Sequence, residues 1–467
     1  MNIAIVASEG VPFAKTGGLA DVVGALPLAL ERLGHEVVLI LPKYKGITQR
    51  RATLGSKVSV AFVEHDGYFG REHLYGGKDG DYADNLERFS FFAWRALETL
   101  KELHFRPDVI HVHDWQAALV PVYLATTYRD DPVVGQATTL LTVHNLAYQG
   151  VFPKSEFPKL GLPWELFHLE GLEYYDQINL LKGGLMFAKR LSTVSPTYAR
   201  EIQTPEYGCG LDGVLRKRRA DLTGVLNGID TTLWDPATDK ALNAPFSAAA
   251  PEAKSVNKRA LQTALDLPVD PTVPLVGMIT RLAAQKGLDL VAAAMEKLVA
   301  LGVQLVVLGT GDRSFHESFE ALGRRYPKAL AVRLSFDDRL ARQIYAASDL
   351  FLMPSRFEPC GLGQMIAMRY GALPVVRKTG GLADTVSEAS TDGREGNGFV
   401  FEAAESSELV AATRRALAVY RQRAAWTALQ RRAMQSDWSW ERAARAYVEL
   451  YGGAPHPVPL PSGERVG

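Results

Sequence analysis

The chain has 467 residues, 47% of them hydrophobic, with 52 Lys plus Arg balanced by 52 Asp plus Glu. That length exceeds a single core and suits two or three domains, and zero net charge supplies no field to draw in nucleic acid or an anionic membrane. Two cysteines, Cys209 and Cys360, are too few for a disulfide framework and fit a reducing, cytoplasmic compartment. The N-terminal MNIAIVASEG lacks a basic flank and a small-residue cleavage site, and its apolar run is too short to span a bilayer, so it reads as a first buried strand. A helical pattern then ends before Gly34, and EVVLIL, DVIHVH and TLLTVH follow as apolar runs alternating with helical stretches. This alternation signals a parallel sheet with crossover helices. The rhythm breaks at ALNAPFSAAAPEAKSVN, which places an interdomain linker at 244–257 after a first domain of 1–243. It restarts with PLVGMI, QLVVLG, LAVRLSF, DLFLMP and LPVVRK, giving a second domain over 258–436. A last helix is expected over 437–451, and the Pro- and Gly-rich tail over 452–467 reads as disordered. The fold class is therefore α/β, two doubly wound Rossmann-like domains with a ligand cleft at the carboxyl ends of their strands.

Lys-Thr-Gly-Gly-Leu-Ala-Asp occurs twice, at Lys15–Asp21 and at Lys378–Asp384, too far apart for a short-period repeat. Each copy follows a strand and opens a helix, where a glycine pair lets backbone N–H groups approach an anion. The plain alternative is two similar turns in two similar domains. Lys15 adds weight to a ligand role, because a cation beside a helix N-terminus is disfavoured unless an anion lies between them. Arg281 and Lys286, in ITRLAAQKGLDL, raise the same conflict, which a bound diphosphate would resolve; otherwise they are two solvated surface cations. On the diphosphate reading, Lys286→Ala is expected to leave the melting temperature almost unchanged, and an unfolding shift as large as the fall in activity would make Lys286 structural. In SRFEPCGLGQMIA the amides of Leu362 and Gly363 could hold phosphate oxygens and Glu358 could accept from sugar hydroxyls, or Glu358 could simply cap a helix. Cys360 reads as a small buried filler.

His111 and His113 lie two apart on one strand face and, with Asp114, suggest metal ligands, but no further cluster stands at ligand spacing, and no metal is expected. His144 and Asn145 end another strand, where such folds build sites. VLGTGD, Val307–Asp312, lacks the third glycine of a dinucleotide fingerprint.

Taken in order, KTGGLADV, HNLAYQG, YGCGLDGVL, VLNGID, RLAAQKG, SRFEPCGL and TGGLADTV resemble the bacterial glycogen synthases, over Met1 to about Tyr451. The resemblance implies two Rossmann-like domains facing across a cleft, the GT-B arrangement, with the last helix crossing back onto the first domain. It implies transfer of glucose from ADP-glucose to the non-reducing 4-hydroxyl of glycogen or another α-1,4-glucan, with retention and without a cofactor. By that likeness Lys15, Gly18 and Asp21 approach the donor from the first domain, and Arg281 and Lys286 hold its diphosphate. Asp114, His144, Asn145 and Asn227 line the glucose side, while Glu358, Cys360, Gly361, Leu362 and Gly363 hold sugar hydroxyls and phosphate. Phe336 stands where the family carries a stacking tyrosine, and Ala283 and Gly363 where it carries threonines. Two other classes fit parts of the pattern. A dinucleotide oxidoreductase would rest on the incomplete GTGD, and a noncatalytic glucan-binding protein would use aromatics such as Tyr82, Trp94 and Trp115 without needing both Arg281 and Lys286.

Overall fold

The computed structural model describes residues 1–77 and 80–452, and it divides into two compact units, one of Met1–Gly228 with the chain from Trp440 onward and one of Ile229–Ser439. The first unit is built on an eight-stranded sheet. Its strands are β1 (Asn2–Val6), β2 (Glu36–Pro42), β3 (Arg51–Leu54), β4 (Val58–Val63), β5 (Val109–His113), β6 (Thr138–Val143), β7 (Arg190–Thr193) and β8 (Leu222–Gly224). They lie in the order β8-β7-β6-β5-β1-β2-β4-β3. Every pairing is parallel except β3 with β4. Strand β1 is buried from Ile3 to Val6 because helices cover both faces, which is why its sequence is an unbroken apolar run. The chain order reverses between β1 and β5, so the loops leaving these two strands meet at the switch point where open α/β sheets place ligands. The first of these loops opens α1 (Gly18–Arg32), and β5 runs directly into the single turn α2 (Asp114–Ala117).

The second unit holds six strands, β9 (Leu275–Ile279), β10 (Gln304–Leu308), β11 (Leu330–Arg333), β12 (Leu350–Met353), β13 (Leu373–Arg377) and β14 (Phe399–Phe401). All are parallel, in the order β11-β10-β9-β12-β13-β14. Here the reversal falls between β9 and β12, and the loops after them lead to α3 (Leu288–Ala300) and α4 (Gly363–Arg369); β13 leads to α5 (Gly380–Thr385). Each apolar run singled out in the sequence forms a strand.

The stretch expected to be a linker packs inside the second unit. The units divide at Gly228, and Pro251–Ala253 and Lys254–Ala264 are helical. Lys254 is buried and its ammonium donates to the carbonyls of Tyr345, Ala346 and Tyr370 at 2.8–3.0 Å; burial lowers its pKa to about 7. Just upstream, Asp239 accepts from the Tyr370 hydroxyl at 2.5 Å and Trp234 packs on Tyr345 and Tyr370. Hydrogen bonds from Lys254 and isolated aromatics such as Phe246, not a periodic apolar stripe, tie this segment down, so its Ala, Pro and Ser content hid the packing.

The C-terminal helix runs from Trp440 to Gly452 and belongs to the first unit, where Trp440, Ala443, Ala444, Tyr447 and Leu450 join the core beneath α1 and β1. Beyond Gly452 the Pro- and Gly-rich tail lies outside the described residues. Among the described residues no helix is long and apolar enough to cross a membrane.

Candidate functional site

In the first unit the loop after β1 is organised by Glu9, a residue that no sequence motif singles out. Its buried carboxylate accepts from the Thr16 amide, the Thr16 hydroxyl, the Gly17 amide at 3.3 Å and the Tyr75 hydroxyl at 3.0 Å. Two amides ahead of α1 are thereby satisfied by a carboxylate of the protein itself, while Gly17, the N-cap, offers no side chain. Lys15 sits on the surface and pairs with Asp21 at 2.6 Å. Asp21 in the first turn of α1 therefore answers the charge conflict that Lys15 posed. A methyl group on Gly17 or Gly18 would meet nothing within 4 Å, so no packing inside the protein requires these glycines. They leave the helix entrance open to a visitor.

The ends of β5 and β6 bring Asp114, His144 and Asn145 together. Asp114 takes a left-handed backbone, φ 56°, at the strand-to-helix junction. Its Oδ1 accepts from the His144 amide at 2.7 Å. Burial raises the Asp114 pKa to about 7, with Glu9 adding to the rise and the His144 and Asn145 amides opposing it. Burial pulls His144 down to about 3. His144 Nε2 lies 2.9 Å from His113 Nδ1. Asn145 caps its own turn at the Ala147 amide, and Asn227 is buried with its Oδ1 unpaired. His111 and His113 do share a face, ring centroids 4.1 Å apart. Both nitrogens of His111 are taken, by Tyr451 at 2.8 Å and Thr142 at 2.6 Å, so the row is hydrogen-bonded within the protein.

In the second unit Lys286 reaches Glu358 Oε2 at 2.6 Å, with the Ser355 hydroxyl on the same oxygen at 2.9 Å. Only 17% of the Lys286 side chain and 8% of the Glu358 side chain is exposed. The expectation that Lys286 could be lost without a change in melting is corrected by this burial, because its removal strands a buried carboxylate. Arg281 is exposed, and its guanidinium makes no hydrogen bond or ion pair among the described residues. Gly287, φ 67°, lets the chain turn from Lys286 into α3, where a methyl would lie 2.1 Å from the Pro354 carbonyl. Cys360 is buried, Gly361 turns at φ 73°, and Leu362 and Gly363 open α4 without a side-chain cap. A Cβ on Gly363 would lie 3.2 Å from Phe351 and 3.4 Å from Met353 and Tyr345, so a threonine there needs these side chains to give by a few tenths of an ångström. Ala283 begins its short turn without a capping hydroxyl. Phe336 is 88% exposed in the loop after β11.

The second copy of the doubled string differs in kind from the first. Methyls on Gly380 and Gly381 would lie 1.9 and 2.1 Å from the Glu358 and Cys360 carbonyls, and the Gly381 amide donates to Glu358 O at 3.0 Å. Its lysine, Lys378, pairs at the surface with Glu402. Gly309 and Gly311 of GTGD similarly make way for the carbonyls of Thr280 and Leu282, which accounts for them without a dinucleotide. Of the aromatics suited to glucan binding, Trp115 is buried and Tyr82 lies under Arg71 and Arg88, whereas Trp94 is exposed.

Residues 2–217 match the family described as starch synthase catalytic domain, and residues 266–432 match glycosyl transferases group 1. A glycogen synthase of Syntrophotalea carbinolica is 52% identical over 97% of this chain and 98% of its own length, and glycogen synthase 2 of Geobacter sulfurreducens is 48% identical over the same shares. The chain belongs to the glycogen synthase family. Among solved structures, the catalytic domain of starch synthase IV from Arabidopsis thaliana, bound to ADP and acarbose, is 38% identical with a TM-score of 0.87 over 96% of this chain and 98% of that one. A sucrose-phosphate synthase from Thermosynechococcus elongatus shares the fold at 18% identity and a TM-score of 0.64. As a glycogen synthase family member the chain is a GT-B glycosyltransferase.

Proposed function

We propose that this chain transfers glucose from ADP-glucose to the non-reducing end of an α-1,4-glucan, with retention of configuration, in the cytoplasm. The observation that carries this is the near-full-length identity to glycogen synthases, joined to lysines in the loops that leave the strands at both switch points. As the glucosyl carbon gains oxocarbenium character, the departing diphosphate needs fixed positive charge. Lys286, held by Glu358, and Arg281 supply it in the second unit, with the uncapped amides at α4 beside them. Lys15 and the open Gly17–Gly18 entrance serve the donor from the first unit. Asp114, His144, Asn145 and the unpaired Asn227 carbonyl offer hydrogen bonds to sugar hydroxyls. Phe336 is the stacking surface for the base. Glu358, tied to Lys286 and Ser355, binds and polarises instead of forming a covalent intermediate.

The test is nucleotide release from ADP-glucose and from UDP-glucose, with and without glycogen, followed by proton NMR of the fresh product. Glycogen-dependent ADP release with an α-anomeric linkage is expected. Release that ignores glycogen, or a β linkage, refutes the reading.

A further inference from the structure

His144 ends a row of three rings whose inner members, His113 and His111, are fully buried. His113 and His144 share one contact, Nδ1 of the first to Nε2 of the second at 2.9 Å. Such a contact takes a single proton when both rings are neutral. Burial holds both neutral. His113 Nε2 is buried and has no partner.

If His144 donated from Nε2, His113 would have to carry its own proton on Nε2, leaving a buried N–H with nothing to accept it. If His113 donates from Nδ1, the unpartnered atom is a lone pair. Orphaned buried N–H groups are the rarer of the two. We infer that His113 donates from Nδ1 to His144 Nε2, which makes His144 a neutral hydrogen-bond donor through Nδ1–H, and that His113 is the positioning residue responsible.

The consequences are chemical. His144 is partly exposed, and its Nδ1 meets no hydrogen-bond partner among the described residues. It therefore presents one N–H to an oxygen of a bound ligand, a hexose hydroxyl if the proposed glucosyl transfer is right, and this last step rests on that reading. Its Nε2 lone pair is occupied, so it does not take a proton from substrate at that nitrogen.

The row is braced from behind. His111 packs against His113 at a tilt and is itself held by Thr142 and by Tyr451 of the C-terminal helix, with Tyr447 also against its ring. His113 therefore packs against a ring that is itself fixed at both nitrogens.

The experiment is long-range proton–nitrogen correlation on the ligand-free full chain labelled with 15N-histidine, at neutral pH, with the His144 signals identified by their loss in His144→Gln. We expect His144 protonated at Nδ1 in the wild type and in His113→Asn, whose amide N–H can replace the donor. In His113→Phe we expect protonation at Nε2 or a mixture. Steady-state rates should follow: His113→Asn within about threefold of wild-type kcat, His113→Phe down roughly tenfold or more with a smaller change in KM for ADP-glucose. Protonation of wild-type His144 at Nε2 overturns the inference, as does an equal loss of kcat in both variants. If His113→Phe does not fold, the wild-type spectrum and His113→Asn decide. A wild-type chain with the expected spectrum but no glucosyl transfer would sink the proposed function and leave the tautomer standing.

Discussion

Lys286→Met keeps most of the aliphatic stem of the side chain and removes the ammonium that stands 2.6 Å from Glu358. Glu358 is left with the Ser355 hydroxyl and a side chain 8% exposed. Stranding one member of a buried pair costs about 3–5 kcal/mol. Lys286 keeps 17% of its side chain in solvent, so water reaches the pair and the lower end, about 3 kcal/mol, applies. For a unit of roughly 200 residues this is a fall in Tm of roughly 6–12 °C. The rate should fall independently, by about 10²-fold or more in kcat, the scale of losing one preorganised charge-stabilising group. Adding Glu358→Gln removes the stranded charge, and the double variant should recover most of the lost Tm because the two sites are directly coupled. It should not recover the rate. Scanning calorimetry and initial rates of ADP release on the two single variants and the double variant give both cycles. A double variant that regains stability and activity together would mean that the pair only braces the loop, and the catalytic reasoning would be wrong.

Lys15→Ala should lower kcat/KM by about 10²-fold, whereas Lys378→Ala should stay within about threefold, because Lys378 and Glu402 pair at the surface, where solvent screens the contact; equal losses in steady-state kinetics would refute the asymmetry. Gly381→Ala forces a methyl to 2.1 Å from the Cys360 carbonyl and should sharply lower Tm, while Gly18→Ala should keep Tm and raise KM for ADP-glucose. Unchanged KM in a folded Gly18→Ala enzyme would mean that nothing approaches that backbone. Folded Asp114 holds its proton to about pH 7, whereas an unfolded aspartate releases it near 3.9. Between those values the native state binds more protons, so this group makes stability fall as pH rises from about 4 to about 7 and level off above. Asp114→Asn removes that slope, and its Tm relative to wild type should be higher at pH 8 than at pH 5; the same difference at both would contradict the buried, protonated carboxyl.

The strands were legible because a parallel sheet covered on both faces demands unbroken apolar runs, and NIAIVA or QLVVLG can be little else. The edge strands β3 and β8 gave no such signal, being short and flanked by polar residues. The cations at helix entrances were legible from the dipole argument, but their partners were not. Asp21 and Glu358 answer Lys15 and Lys286 from within the protein, and of the three cations only Arg281 stands with its charge unanswered among the described residues. Glu9 was missed because a lone acid after a strand carries no spacing signal. Its role depends on the chain folding back so that Thr16 and Gly17 point their amides at it. The linker was misplaced for the converse reason, since Lys254 is held by three carbonyls that sequence periodicity cannot register.

The doubled Lys-Thr-Gly-Gly-Leu-Ala-Asp shows how identical residues come to be required for different reasons. Both copies need a small, extended turn from strand to helix, and in both the leucine is buried. In the second copy the glycines are demanded from inside, by carbonyls of the Glu358–Cys360 turn that a methyl would strike. That turn carries the carboxylate on which Lys286 rests, so the second copy acts on the site through the position of Glu358. In the first copy nothing inside the protein presses on the glycines, and of its amides Glu9 takes those of Thr16 and Gly17. An alanine at Gly17 or Gly18 would be free of conflict inside the protein, so packing does not explain glycine there, and the Gly18→Ala enzyme tests whether a ligand does. One copy shapes the loop that holds the Lys286–Glu358 pair; the other leaves the space around its glycines open.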